Sequence, residues 1–174
     1  MEAKFCRDSR VIRTSRVFPN DVNNHNTLFG GRLMDHLDQV ASTSAGRHSR
    51  SECVTASTDS VDFLHPIRTT DSVHFESYVT WTGTSSMEVF VKIIAENLKS
   101  GDRKVAATAL LTFVALDENK RPARVPQIIP ETLEEKKLHE TAPDRAKMRK
   151  ERKQKSKELA EFLTTNYPWD ENFI

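Results

Sequence analysis

The chain has 174 residues, a hydrophobic fraction of 37%, a charged fraction of 29% and a formal net charge of +1. These values are typical of a globular domain and give no overall attraction to nucleic acid. No segment approaches the ~18 apolar residues of a membrane-spanning helix, two cysteines are too few for a disulfide framework, and the first residues lack the apolar core of a secretory signal. We therefore expect a cytoplasmic protein.

The first third of the chain predicts a strand, a loop and a helix, in that order. Residues 11–18 alternate as a strand does, and residues 20–26 are rich in Asn and Asp, which favour turns. From residue 30 to residue 48 the apolar residues recur at helical spacing. They are Leu33, Leu37, Val40 and Ala41.

The middle of the chain predicts four strands, at 53–63, 72–81, 87–98 and 105–116. Short polar segments separate the last three, as antiparallel connections require. In the second strand the pattern predicts one apolar face, formed by Val73, Phe75, Val79 and Trp81. Without crossover helices the sheet cannot be doubly wound, so we expect an α+β fold in which one helix packs across an antiparallel sheet.

A change of composition divides the chain. We assign residues 8–120 to the folded domain, 121–130 to a connector that holds three of the seven prolines, and 131–174 to a charged helical extension. The segment 145–157 contains eight Lys/Arg and one Glu. It lacks the interleaved aromatic residues of a nucleic-acid site, and a solvated, partly helical tail that packs at a subunit junction accounts for it better.

Asp38 is the strongest candidate for chemistry. On a helix it shares a face with Met34, Ala41 and Ala45, which have the character of core positions. A carboxylate there has to be desolvated or hydrogen bonded, and this costs free energy. The alternative is that Asp38 lies at the rim of the apolar face, in water or paired with an arginine.

The helix is predicted to start with Gly30-Gly31, which let another molecule approach its free N–H groups. The motifs of glycine-rich phosphate-binding loops do not occur, so a polarised carbonyl oxygen is the favoured ligand. The six histidines form no HExxH motif, and no serine lies in a GxSxG motif. We expect neither a metal site nor a serine-hydrolase triad.

The segment from Asn23 to Asp38 reads N-x-x-x-x-L-F-G-G-x-L-M-x-x-x-D. This pattern resembles the signature of the hotdog-fold acyl-CoA thioesterases, above all the branch of the cytosolic (brain-type) acyl-CoA hydrolases and their bacterial relatives. The similarity continues in VTASTDSVDFLHPI (54–67), TSSMEVFVKI (84–93) and AATALLTFVAL (106–116). It covers about residues 8–120.

The resemblance implies a hotdog fold, in which an antiparallel sheet of five to six strands wraps a long central helix. It implies subunits that pair edge to edge and often assemble as a hexamer of three pairs, which covers an exposed sheet edge. The implied activity is hydrolysis of fatty acyl-CoA to a free fatty acid and coenzyme A, in fatty acid metabolism. No cofactor is expected beyond the coenzyme A of the substrate, and no nucleic-acid or membrane partner.

The resemblance also implies a catalytic pair, Asn23 of one subunit and Asp38 of the partner, with Asn24 as a competing assignment. Backbone N–H groups near Gly31 would hold the carbonyl oxygen, while Asp38 acts as a general base or as a nucleophile. The alternative function is a non-catalytic acyl-CoA sensor, and the presence of both Asn23 and Asp38 favours the enzyme.

Coenzyme A carries phosphates, so we expect basic and small polar groups near the mouth of the pocket. For Arg103 and Lys104 the alternative is a solvated hairpin tip. The candidate substrate-binding residues are Gly30, His65, Ser85, Ser86, Arg103 and Lys104.

Overall fold

The computed structural model describes residues 1–169. Its elements are β1 (Lys4–Phe5), α1 (Cys6–Ser9), β2 (Val11–Arg16), a 3-10 turn (Pro19–Asp21), α2 (Gly30–Ser49), β3 (Glu52–Phe63), β4 (Asp71–Thr82), β5 (Ser86–Asn97), β6 (Arg103–Leu116), β7 (Ile128–Ile129) and α3 (Leu133–Phe162). The predicted central helix and the five predicted strands are confirmed, with ends that shift by at most two residues. No helix within residues 1–169 is long and apolar enough to cross a membrane.

Five strands form one antiparallel sheet in the order β2-β4-β5-β6-β3, and α2 packs across one of its faces. The α+β prediction is therefore correct. The helix buries Leu33, Leu37 and Val40 against the sheet. The inner face of β5 supplies fully buried apolar side chains to the same core, at Met87, Val89, Val91 and Ile93.

The prediction that Trp81 belongs to the apolar face of β4 is wrong. The register between β4 and β5 shifts after Val79, which lies opposite Val89, so that Trp81 lies opposite Glu88. A bulge of this kind turns the following side chains to the other face of the sheet. Trp81 is consequently half-buried on the outer face, and Thr82 takes the inward position opposite Met87.

Strand β3 forms an open edge of the sheet. It pairs with β6 on one side only, and two register shifts, at Ala56 and Asp59, interrupt that pairing. Most of its side chains are exposed, including the apolar Val54 and Phe63. An exposed strand with apolar side chains is a surface on which another strand can add.

The first turns of α3 pack on the outer face of the sheet through charged groups. Lys92 and the Tyr78 hydroxyl donate hydrogen bonds of 2.8 and 2.7 Å to Glu134. Burial alone would raise the pKa of Glu134, but these hydrogen bonds leave it below its usual value. Arg10 forms an ion pair with the buried Glu135 next to it.

The chain divides into two compact units, Met1–Glu140 and Thr141–Ile174. Between β6 and α3, residues 117–132 contain little regular structure apart from β7, which pairs in parallel with β1. The last five residues of the predicted extension, 170–174, lie outside the described residues.

Candidate active site

A cavity of about 310 Å³ lies beside the start of α2. It is bounded by the loop before the helix, by the end of β3 with the segment that follows it, and by the start of β6. The cavity brings together Asn23, Gly30 and His65, three of the residues that the sequence predicted for the site. Apolar side chains complete its wall, among them Leu28, Leu33, Phe63 and Ile67.

The Asn23 side chain organises the loop from which it reaches this cavity. Its Oδ1 accepts hydrogen bonds from the backbone N–H of His25 at 2.9 Å and of Thr27 at 3.3 Å, and its Nδ2 donates to Thr27 Oγ1 at 3.0 Å. This is a local turn made by an asparagine side chain. Asn24 is exposed and does not line the cavity, so the geometry favours Asn23.

The start of α2 offers free N–H groups. Phe29 is the residue before the helix, no side chain caps it, and the first turn contains no acidic residue. A Cβ at Gly31 would lie 2.6 Å from the ring of the exposed Phe29, so any side chain at this position would have to displace that ring. The positive end of the helix is therefore open to a ligand oxygen.

Asp38 lies at the rim of α2 and is exposed in the single chain. The expectation that it packs among core residues is wrong at Met34, whose exposed fraction is 46%, although Ala41 and Ala45 are buried. The reason is helical phase, because the face of α2 that meets the sheet is centred on Leu37 and leaves Asp38 to one side. Asp38 therefore lies at the rim of the apolar face, as the alternative prediction had it, and it forms no ion pair with an arginine among residues 1–169.

The partner of Asp38 is Thr55 on the exposed edge strand β3. Thr55 Oγ1 donates a hydrogen bond of 2.9 Å to Asp38 Oδ1, which fixes the carboxylate and leaves Oδ2 for other contacts. Thr55 is not among the site residues that the sequence predicted. The segment around Thr55 is rich in serine and threonine, as many strands are. Only the packing of β3 beside α2 places the hydroxyl of Thr55, rather than another of these residues, next to Asp38.

Within one chain Asn23 and Asp38 do not share a cavity. Asp38 lies eight residues after Gly30, a rise of about 12 Å along the helix, and it does not line the cavity that contains Asn23. The single chain thus carries two separate groups of candidate residues, called half-sites below: the Asn23 cavity with the open helix end, and the Asp38–Thr55 pair at the sheet edge.

The predicted coenzyme A residues divide between the two ends of β5. Ser86 starts this strand, whereas Arg103 pairs with Glu96 near its other end, about 33 Å away at 3.3 Å per residue. The expectation that both groups flank one mouth of a pocket is therefore wrong for a single chain. A strand of this length separates the two hairpins that it connects.

Arg103 and Lys104 line a second cavity of about 330 Å³ together with Arg68, Asp71 and Asp102. The guanidinium of Arg103 donates to Glu96 at 3.2 Å, and His74 lies 3.0 Å from the other oxygen of Glu96. These contacts lower the pKa of Glu96. No group of three or more His, Cys, Asp or Glu within residues 1–169 is arranged to hold a metal ion.

Comparison with known proteins shows where this architecture occurs. The model of the thioesterase superfamily matches residues 25–101. A Bacillus subtilis protein described as an uncharacterized acyl-CoA thioester hydrolase is 62% identical to this chain, over 97% of the chain and 98% of its own length.

Two solved structures extend the comparison to the fold. The acyl-CoA hydrolase of Bacillus cereus superposes with a TM-score of 0.91 at 56% identity, covering 94% of this chain and 99% of its own. The acyl-CoA hydrolase of Staphylococcus aureus, in complex with butyryl coenzyme A, coenzyme A and coenzyme A disulfide, has a TM-score of 0.89 at 43% identity, covering 92% and 98%. On this agreement over nearly its whole length, the chain belongs to the thioesterase superfamily with its hotdog fold, as an acyl-CoA thioester hydrolase.

Proposed function

We propose that this chain hydrolyses fatty acyl-CoA thioesters at a site that two copies build together. Asn23 and the open end of α2 come from one copy, and Asp38 with Thr55 comes from the other. The observation that carries this proposal is the position of the Asp38–Thr55 pair, at an exposed sheet edge and outside the cavity of its own chain. A second copy joined at β3 supplies what each half-site lacks.

The surface around Asp38 has the character of a subunit contact. Met34 and Val54 are exposed by 46% and 47%, and β3 presents an unpaired edge beside them. Joining two such edges would satisfy their backbone groups and bury the apolar side chains. An acyl-CoA thioesterase described as hexameric superposes with a TM-score of 0.85 at 43% identity, which supports an assembly of three such pairs.

The spacing of Asn23, Asp38 and Thr55 along the chain supports their assignment to one catalytic site. Structures of the S. aureus enzyme include alanine variants of an asparagine, an aspartate and a threonine, which lie 15 and 17 residues apart in that order. Asn23, Asp38 and Thr55 have the same spacing in this chain. We infer that they occupy the equivalent positions.

The chemistry follows from the two half-sites. Asp38 Oδ2 takes a proton from water, the resulting hydroxide adds to the thioester carbonyl, and the carbon–sulfur bond breaks to release the coenzyme A thiolate. The N–H group of Gly31 holds the carbonyl oxygen while negative charge develops, aided by the helix dipole. In the alternative route Asp38 itself attacks, and water then opens the mixed anhydride. Asn23 Nδ2 orients the water or the carbonyl.

The remaining assignments extend the proposal. Gly30 and His65 line the acyl-CoA cleft. The coenzyme A phosphates lie at one of two places, beside Arg103 and Lys104 or beside Ser85 and Ser86 at the opposite end of β5. No cofactor takes part. We place the activity in the cytoplasm and in fatty acid metabolism, in accord with a rat relative named as a cytosolic enzyme, 35% identical, of whose length the chain spans 37%.

Release of free thiol from palmitoyl-CoA tests the proposed substrate class. We expect continuous turnover, followed with a thiol-reactive dye, and a product that co-migrates with palmitic acid. Butyryl-CoA serves as the short-chain comparison. Tight binding of palmitoyl-CoA without turnover would contradict the proposal and would support an acyl-CoA sensor.

Replacing Thr55 with valine should lower kcat about tenfold, because it removes the charge-assisted hydrogen bond that holds the Asp38 carboxylate in place. KM should change little, since Thr55 orients Asp38 and does not hold the substrate. Thr55→Ser keeps the hydroxyl and should retain most of the activity. Steady-state kinetics of the two variants check this, and equal kcat values for valine and wild type would reject the role of Thr55.

A further inference from the structure

A polar cleft at the hairpin end of the sheet is not used by the two half-sites. It has a volume of about 460 Å³ and lies between the β4–β5 turn and the connector that follows β6. The backbone N–H of Val125 donates to the Thr84 carbonyl at 3.1 Å and holds the two segments together. The cleft is lined by Thr82, Gly83, Thr84, Arg124, Val125 and Gln127.

Thr82 is the first observation that points to a ligand. The bulge in β4 turns its side chain inward, its exposed fraction is 6%, and its hydroxyl oxygen has no hydrogen-bond partner among residues 1–169. Buried hydroxyl groups in proteins are nearly always hydrogen bonded, because an unpaired one costs free energy. An acceptor or donor from outside the chain would satisfy it.

Arg124 is the second observation. Arg124 lines the cleft and is exposed, the lining contains no carboxylate side chain, and Arg124 forms no ion pair with any described residue. A guanidinium with hydroxyl groups beside it is the usual protein partner of a phosphate group.

We propose that this cleft binds a phosphate group, with Arg124 as its counter-ion and Thr82 as a buried hydrogen-bonding partner. Two sources share this chemistry, the phosphates of the acyl-CoA substrate and a separate phosphorylated nucleotide. The sheet register connects the cleft to the Asp38 half-site, because Thr82, Met87, Phe113 and Thr55 form one row across β4, β5, β6 and β3. Thr82 is about 14 Å from Thr55 along that row.

The substrate source rests on the function proposed above, whereas binding of phosphate to the cleft does not. The first experiment therefore measures binding without turnover. The sequence contains two tryptophans, and the ring of Trp81 lies 3.5 Å from the Cβ position of Gly83, at the edge of the cleft. In a Trp169→Phe background, the fluorescence of Trp81 reports titration with inorganic pyrophosphate.

We expect Arg124→Gln to weaken pyrophosphate binding about tenfold, as loss of a charged hydrogen-bond donor predicts. Thr82→Val should also weaken binding without lowering the melting temperature, since it removes a hydroxyl that has no partner in the chain. Arg121→Gln is the matched control, because Arg121 is exposed on the same connector but lies outside the cleft. No binding by the Trp169→Phe background protein, or equal binding by all variants, would overturn the proposal.

The second experiment separates the two sources. KM is measured for palmitoyl-CoA and for S-palmitoyl-pantetheine, which lacks the nucleotide. A higher KM of Arg124→Gln for palmitoyl-CoA alone assigns the cleft to the substrate's phosphates. An unchanged KM together with weakened pyrophosphate binding assigns it to a separate nucleotide. A wild-type protein that does not turn over would reject the proposed function and leave the titration valid.

Discussion

Replacing Asp38 with alanine should lower kcat by roughly 10²–10⁴-fold, the range that a general base contributes. The fold should be unaffected. Asp38 is exposed in the single chain and within residues 1–169 its side chain forms one hydrogen bond, from Thr55, while alanine favours a helix. Thiol release from palmitoyl-CoA, measured together with circular dichroism and the melting temperature, checks both expectations.

Asp35 provides the matched control for this experiment. It is exposed on α2 one turn before Asp38, and it accepts a hydrogen bond of 2.9 Å from Gln39 Nε2. Asp35→Ala removes the same charge from the same helix and should keep its activity. An active Asp38→Ala protein, or an equal loss in both variants, would show that the carboxylate at 38 has no specific role in the reaction.

Mixing Asn23→Ala and Asp38→Ala chains should restore activity that neither variant has alone. If each site takes Asn23 from one chain and Asp38 from the other, a mixed pair contains one intact site. Random reassortment of equal amounts then gives about a quarter of the wild-type activity. Co-refolding of the two variants, with the composition of the oligomers verified by mass spectrometry, measures the recovery.

A double variant gives the reciprocal control. Wild type mixed with an equal amount of the Asn23→Ala/Asp38→Ala chain should show about a quarter of the activity of the same total amount of wild-type chain if the sites are shared, and about half of it if each site lies within one chain. Because Asn23 also holds its own loop, Asn23→Asp serves as a second variant that keeps the Oδ1 acceptor for His25 and Thr27. No recovery in verified mixed oligomers would argue against a shared site.

The fold was predictable because its elements follow local rules. The apolar spacing around Leu33, Leu37 and Val40 predicts α2, and alternation predicts the strands, since both patterns reflect how side chains leave a regular backbone. The motif from Asn23 to Asp38 likewise marked residues that lie on the cavity and at the rim of the helix. The prediction for β4 failed at Trp81, where a bulge breaks the alternation.

What the sequence alone determined is thus the central helix, the five strands of the main sheet, the fold family and the candidate residues at the start of α2, because these depend on short-range patterns. The tertiary structure decided that Asp38 is exposed, that Thr55 binds it, and that Ser86 and Arg103 lie at opposite ends of one strand. Periodicity states which residues share a face but not which face meets the sheet, and strand register joins residues that no local pattern connects.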